Sequence, residues 1–259
     1  MPTVTSRDGT SIFYDRLGDG PPVVLVTGGS VDRSSNAGLA AELAGRGFTA
    51  YNYDRRGRGP SGDTPPYAIE REIEDIAAVI EVAGGRAHLY GSSSGAGLAM
   101  HAAAAGLPVA RLALWEPPYS VGGRPDLPDD TASVYRELVD AGRRGDAVEY
   151  FMAKVVGLPP EFVANARQAP WWAQQEALAH TLAYDATIMG DYTLPTVIAR
   201  AITVPTLIVD GGASFGFLGE TADALAKLIP GAQRATLEGQ EHNVDPAALA
   251  PVLTRFFTA

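Results

Sequence analysis

The 259-residue chain contains no cysteine, which excludes a disulfide framework and any thiol chemistry. It has no basic excess either. Its 20 Lys and Arg stand against 30 Asp and Glu, and a net charge of −10 speaks against nucleic acid or an anionic membrane surface as a partner. Long hydrophobic runs are missing. The opening "MPTVTSRDGTSIFYDRLGDG" holds no apolar core for a secretory leader, and the weakly polar stretch "SGAGLAMHAAAAGLPVARLALW" is interrupted by His101, Pro108 and Arg111. The expectation is a cytoplasmic protein without a membrane span, acting on a small molecule. Nothing like H-E-x-x-H occurs, and Glu238, Glu241 and His242 lack metal spacing, so neither metal nor cofactor is expected. What is present is ordinary: 46% hydrophobic and 19% charged residues, enough for a sizeable core.

Read by periodicity, strands alternate with helices. "TVTS" and "SIFYDRLG" predict an opening antiparallel hairpin joined at Asp8-Gly9. "PPVVLVTGG" and "VPTLIVDGG" are short apolar runs closed by glycines, the pattern of strands buried on both faces. Ile69, Ile73, Ile76 and Ile80 recur at helical spacing until Gly84-Gly85 stops the helix. The expected fold class is α/β, with about eight strands in a mostly parallel sheet and helices on both faces. Between Pro117 and Pro195 the pattern is helical with no strand, and about eighty residues are too many for a crossover loop. The expected organisation is a core of residues 1–118 and 196–259 with an inserted helical cap, residues 119–195.

In an open parallel sheet, chemistry sits at the carboxyl ends of the strands. "HLYGSSSGAGLAM" puts three serines there, between a strand and a helix. Gly91-Ser92-Ser93-Ser94-Gly95 fits G-x-S-x-G, and a side chain held on so sharp a turn needs small neighbours two positions to either side. That selects Ser93 as candidate nucleophile. Ser94 then opens the following helix, its backbone N–H directed at the site. Plain connectors and phosphate loops share this composition, so a base is required. Of the four histidines, His88 lies in the strand before the turn, His101 in the helix after it and His180 in the insertion. His242, in the loop "LEGQEHNVDP" after the last strand, has little packing reason to be there and is the candidate base.

Four motifs, "VTGGS", "YDRRGRGPSGD", "LYGSSSGA" and "GQEHNVDP", together resemble the α/β-hydrolase superfamily over nearly the whole chain. The resemblance implies a triad in the chain order Ser, acid, His. It implies a second oxyanion donor in the loop after the third strand, Gly29 or Ser30, with Thr27-Gly28 where the family commonly has His-Gly. It also implies an acid after the seventh strand. This chain has Ser214 there, which cannot carry the charge that stabilises an imidazolium. Two carboxylates are open: Glu116 after the sixth strand, in "LALWEPPY", and Asp210 at the end of the seventh. Some haloalkane-dehalogenase-like members carry their acid after the sixth strand, which favours Glu116. A Ser-His dyad or a repurposed site also stays open. "GRGPSG" matches a dinucleotide pattern formally but runs into prolines, so Arg55, Arg56 and Arg58 read as ion-pair braces of their loop.

The predicted function is cofactor-free serine hydrolysis of an ester, lactone or thioester of a small apolar substrate. Ser93, His242 and Glu116 (alternatively Asp210) form the triad, and the Gly29 and Ser94 N–H groups hold the oxyanion. Ser30, Trp171 and Trp172 are expected substrate contacts, with Phe151, Met152 and Tyr184 suggesting an apolar acyl group. The alternatives keep the fold and change the reaction: carbon–carbon hydrolysis, lyase or cyclase chemistry, perhydrolysis, or ligand binding without catalysis. Epoxide hydrolase and dehalogenase are disfavoured because both need a carboxylate at the turn.

Overall fold

The computed structural model describes residues 2–259. The hairpin of β1 (Thr3–Thr5) and β2 (Ser11–Leu17) leads into β3 (Pro22–Val26), α1 (Ala37–Gly45) and β4 (Thr49–Tyr53). Then follow α2 (Ile69–Val82), β5 (Ala87–Ser92), α3 (Ser94–Ala104) and β6 (Val109–Trp115). The strandless stretch supplies α4 (Thr131–Asp140), α5 (Arg144–Tyr150), a π-helical turn over Phe151–Val156, α6 (Pro160–Ala166), α7 (Trp172–Leu178) and α8 (Leu182–Met189). After α9 (Thr196–Ala201) the alternation resumes with β7 (Thr206–Gly211), α10 (Gly216–Leu228), β8 (Gln233–Leu237) and α11 (Pro246–Thr258). No helix among the described residues is long and apolar enough to cross a membrane.

The eight strands form one sheet in the order β1-β2-β4-β3-β5-β6-β7-β8, antiparallel at β1–β2 and β2–β4 and parallel elsewhere. From β3 the order runs outward through β4, and from β5 it runs the other way through β6. Their carboxyl ends therefore border the crevice where such sheets bind ligands. Alternation across the sheet builds two cores. Val23 and Leu25 of β3 pack with Leu39 and Leu43 of α1 and Leu249 and Leu253 of α11. Val24 and Val26 pack with Ile76 and Val79 of α2 and Leu98 of α3. Each such side chain contributes roughly 1.5–3 kcal/mol on full burial, and burial on both faces is why β3 reads as an unbroken apolar run.

The helices between β6 and β7 gather a third apolar cluster of their own, including Tyr135, Val148, Met152, Trp172 and Leu182. The stretch "DDTASVYRELVDAGRRGDAVEYFMAKVV" is divided by Gly142, whose φ of +73° separates α4 from α5. The chain then widens into the π-turn, which ends at Gly157 in the left-handed conformation.

Candidate active site

Ser93 joins β5 to α3 with φ 53° and ψ −128°, a backbone state that costs of order 1–3 kcal/mol outside glycine. Its neighbours hold it there. The Ser93 N–H donates to the Trp115 carbonyl at 2.9 Å. A Cβ on Gly91 would come within 2.7 Å of Ala96 Cα, and one on Gly95 within 2.7 Å of the Thr27 carbonyl carbon, so only glycine fits either place. The side chain is half-exposed and lines a cavity of 590 Å³ at the carboxyl end of the sheet.

His242, after β8, lines the same cavity. Its Nδ1 lies 2.5 Å from Glu116 Oε2, and its carbonyl accepts Trp115 Nε1–H at 2.9 Å. Glu116 follows β6 and is fully buried. Its Oε1 accepts the Gly211 N–H at 2.8 Å, and its Oε2 accepts the Ser214 hydroxyl at 3.0 Å. The serine at the position where the resemblance implies an acid thus donates to a carboxylate reaching in from the adjacent strand. A carboxylate can only accept, so the contact assigns the imidazole proton to Nδ1 and leaves Nε2 free to take one. Asp210 is elsewhere, accepting Arg234 Nη1–H at 2.5 Å.

The cavity walls are mainly apolar. The π-turn contributes Phe151, Met152, Val155 and Val156, because residues four and five apart share a face of an i→i+5 turn. Phe215 and Phe217 at the start of α10, with Met189 and Tyr192, add to it. Trp171, Trp172, Ser30 and Tyr184 are not among the lining residues. Trp172 turns into the insertion's own core at 6% exposure, whereas Trp171 caps α7 facing outward at 41%. Tyr184 stacks on Tyr67 with ring centroids 4.0 Å apart. Ser30 is buried at φ +58° and donates to Gln175 Oε1 of α7.

Gly28 and Gly29 lie beside the turn: a Cβ on Gly28 would be 3.0 Å from Ser93 Cβ. As the first residue of α3, Ser94 has an N–H with no intrahelical acceptor. Sequence reading missed Asp185 of α8, which lines the cavity and accepts the Ser94 hydroxyl at 2.8 Å. Burial would raise its pKa, but Arg58, Arg55 and the Ser94 hydroxyl outweigh that and hold it below the ordinary carboxylate range. Arg55 also grips Glu72 through two bonds of 2.7 Å, and Arg56 grips Asp75 through two of 2.8 Å. The loop arginines are therefore paired and buried, as read. One acidic residue inside the apolar "LAYDATIM" was the available signal for Asp185.

The chain is similar to known proteins along most of its length. The model of the alpha/beta hydrolase family matches residues 23–252. The crystal structure of an alpha/beta hydrolase from Sphaerobacter thermophilus is 56% identical, with a TM-score of 0.92, covering 99% of this chain and 100% of that one. A non-heme haloperoxidase from Rhodococcus erythropolis is 28% identical over 259 residues, 94% of this chain and 93% of that protein. N-formylmaleamate deformylase from Pseudomonas putida is 33% identical over 154 residues, 57% of this chain and 58% of that protein.

Proposed function

The chain belongs to the alpha/beta hydrolase family, and within it we propose a serine hydrolase of carboxylic esters, lactones or thioesters with an apolar acyl part. Ser93 Oγ attacks the carbonyl carbon while His242 Nε2 takes its proton. Glu116 holds the imidazole in the required tautomer and stabilises the imidazolium that forms. The Gly29 and Ser94 N–H groups receive the oxyanion. Collapse of the tetrahedral adduct expels the alcohol or thiol, which takes the proton from His242. Water then attacks the acyl-enzyme by the same route and releases the acid. The insertion, residues 119–195, acts as a cap whose π-turn forms much of the acyl-binding wall.

The observation that carries this reading is the 2.5 Å contact of His242 Nδ1 with buried Glu116, in one cavity with a serine on a strained turn. A fluorophosphonate probe tests it. The probe labels the wild type and Ser92→Ala but not Ser93→Ala, whose turnover of a chromogenic ester falls by about a millionfold. Labelling that survives in Ser93→Ala removes the assignment.

A second reading has one observation in its favour, the haloperoxidase relative. If hydrogen peroxide replaces water at the second step, the acyl-enzyme releases a peracid, and bromide is oxidised as the peracid returns to its acid. Bromide oxidation that needs peroxide, a carboxylic acid or ester, and Ser93 would support this reading alongside hydrolysis.

A further inference from the structure

Arg58, Asp185 and the Ser94 hydroxyl touch the proposed oxyanion hole yet have no part in the steps above. Arg58 lies in the loop after β4 and is fully buried. Its Nη1 donates to the Gly28 carbonyl, and to the Val31 carbonyl at 3.1 Å. Its Nη2 donates to both oxygens of Asp185 at 2.8 Å. Asp185 Oδ1 also accepts the Ser94 hydroxyl at 2.8 Å.

The amide between Gly28 and Gly29 is planar and trans, so its C=O and N–H point in opposite directions. Gly28 and Gly29 line the cavity and Arg58 does not. Holding the Gly28 oxygen on the guanidinium therefore turns the Gly29 N–H toward the cavity, and the same pull polarises the amide and strengthens that donor. On the other side, Asp185 tethers the hydroxyl of the residue whose N–H is the second donor. One guanidinium reaches both halves.

We propose that Arg58 is the positioning residue of the oxyanion hole, setting the Gly28–Gly29 amide directly and Ser94 through Asp185. This rests on the hydrolase reading of Ser93, Gly29 and Ser94. Arg58 touches no reacting atom. Because Asp185 belongs to α8, the hole is complete only with the inserted helices in place. The charges of Arg55, Arg58, Glu72 and Asp185 cancel, so the cluster brings no net charge to the site. Anchoring alone would be met by Arg55, which bonds Asp185 at 2.7 Å as well as Glu72. Arg55 stops one residue short, on the Thr27 carbonyl at 3.4 Å, and among the described residues Arg58 alone donates a side-chain hydrogen bond to the Gly28 oxygen.

Arg58→Lys separates geometry from charge, since an ammonium keeps the balance but lacks the planar fork that spans two acceptors. Turnover and KM for a short-chain chromogenic ester, inhibition by a trifluoromethyl ketone that mimics the tetrahedral adduct, and melting temperature are measured together. In Arg58→Lys, kcat falls about a hundredfold with KM within about threefold, and affinity for the ketone falls in parallel. Ser94→Ala keeps the N–H but frees it from Asp185, and loses about tenfold in kcat. The double variant loses less than the product of the two. A folded Arg58→Lys with wild-type kcat, or one whose loss lies entirely in KM, overturns the proposal. If Arg58→Lys does not fold, Ser94→Ala decides, and wild-type turnover there overturns it. A wild type that neither turns over nor takes the fluorophosphonate label fails the hydrolase reading itself, and the proposal with it.

Discussion

Glu116 stands at φ +44°, a strained state for a residue with a side chain, and four contacts hold it there. Its N–H donates to the Val209 carbonyl at 3.0 Å, while Gly211, Ser214 and His242 occupy its carboxylate. Glu116→Gln keeps the shape but removes the charge and offers a donor to Nδ1, favouring the wrong tautomer. Turnover is expected to fall roughly ten-thousandfold. Asp210→Asn loosens only the Arg234 pair and should cost less than about threefold, because a partly exposed pair is worth little. Steady-state rates of both variants decide the point, and a larger loss at Asp210 reverses the choice of acid. Ser93 and His242 were legible because their signals are local, a spacing of small residues and a loop histidine. Glu116 was legible only as one of two carboxylates, since the choice depends on which strand lies beside the β8 loop. Asp185 was not legible as a site residue, because its partner Ser94 lies 91 positions away and only the fold brings them together.

β5, the strand that leads to Ser93, is also where pH acts on stability. His88 stacks on Phe257 of α11 with centroids 4.6 Å apart and meets Phe48 edge-on at 6.2 Å. Burial, helped by Arg111 and Arg86, pushes its pKa down to about 4. In the unfolded chain the imidazole takes up a proton near pH 6.5, whereas the folded one waits until about pH 4. Its contribution is therefore full above pH 6.5 and is lost as the pH falls toward 4. His101 and His180 are also lowered by burial and add to the same slope. Melting temperatures between pH 7 and pH 4 should fall less in His88→Phe than in the wild type. Parallel curves would exclude His88 as a source. The apolar runs of β3 and β7 made those strands plain in the sequence. The π-turn was not, because its residues also fit an ordinary helical period and the widening depends on how α5 meets the rest of the insertion.

Across the whole molecule, the cavity lies where the sheet's carboxyl edge meets helices with an apolar centre of their own. Its walls come from both parts, Phe151 and Met152 from the π-turn and Phe215 and Phe217 from α10. That division separates residues that line the cavity from residues that hold the proposed cap together. Each methylene buried against such a wall is worth about 0.8 kcal/mol, so kcat/KM should rise roughly fourfold per carbon from acetate upward until the cavity is filled. Phe217→Ala removes wall without opening any of the apolar clusters. The preferred acyl chain should lengthen by about one or two carbons while the melting temperature stays near that of the wild type. Trp172 is the opposite case, 6% exposed inside the insertion and facing the Arg167 guanidinium at 5.9 Å. Trp172→Ala should cost about 3–5 kcal/mol of stability and leave the chain-length profile unchanged. Melting curves and a panel of nitrophenyl esters from acetate to decanoate read both variants at once. The strandless run announced the helices between β6 and β7, but it could not say which aromatics line the cavity, because that depends on how α7 and the π-turn are rotated against the sheet. A Trp172→Ala variant that melts like the wild type but prefers a different acyl chain would return that tryptophan to the substrate side.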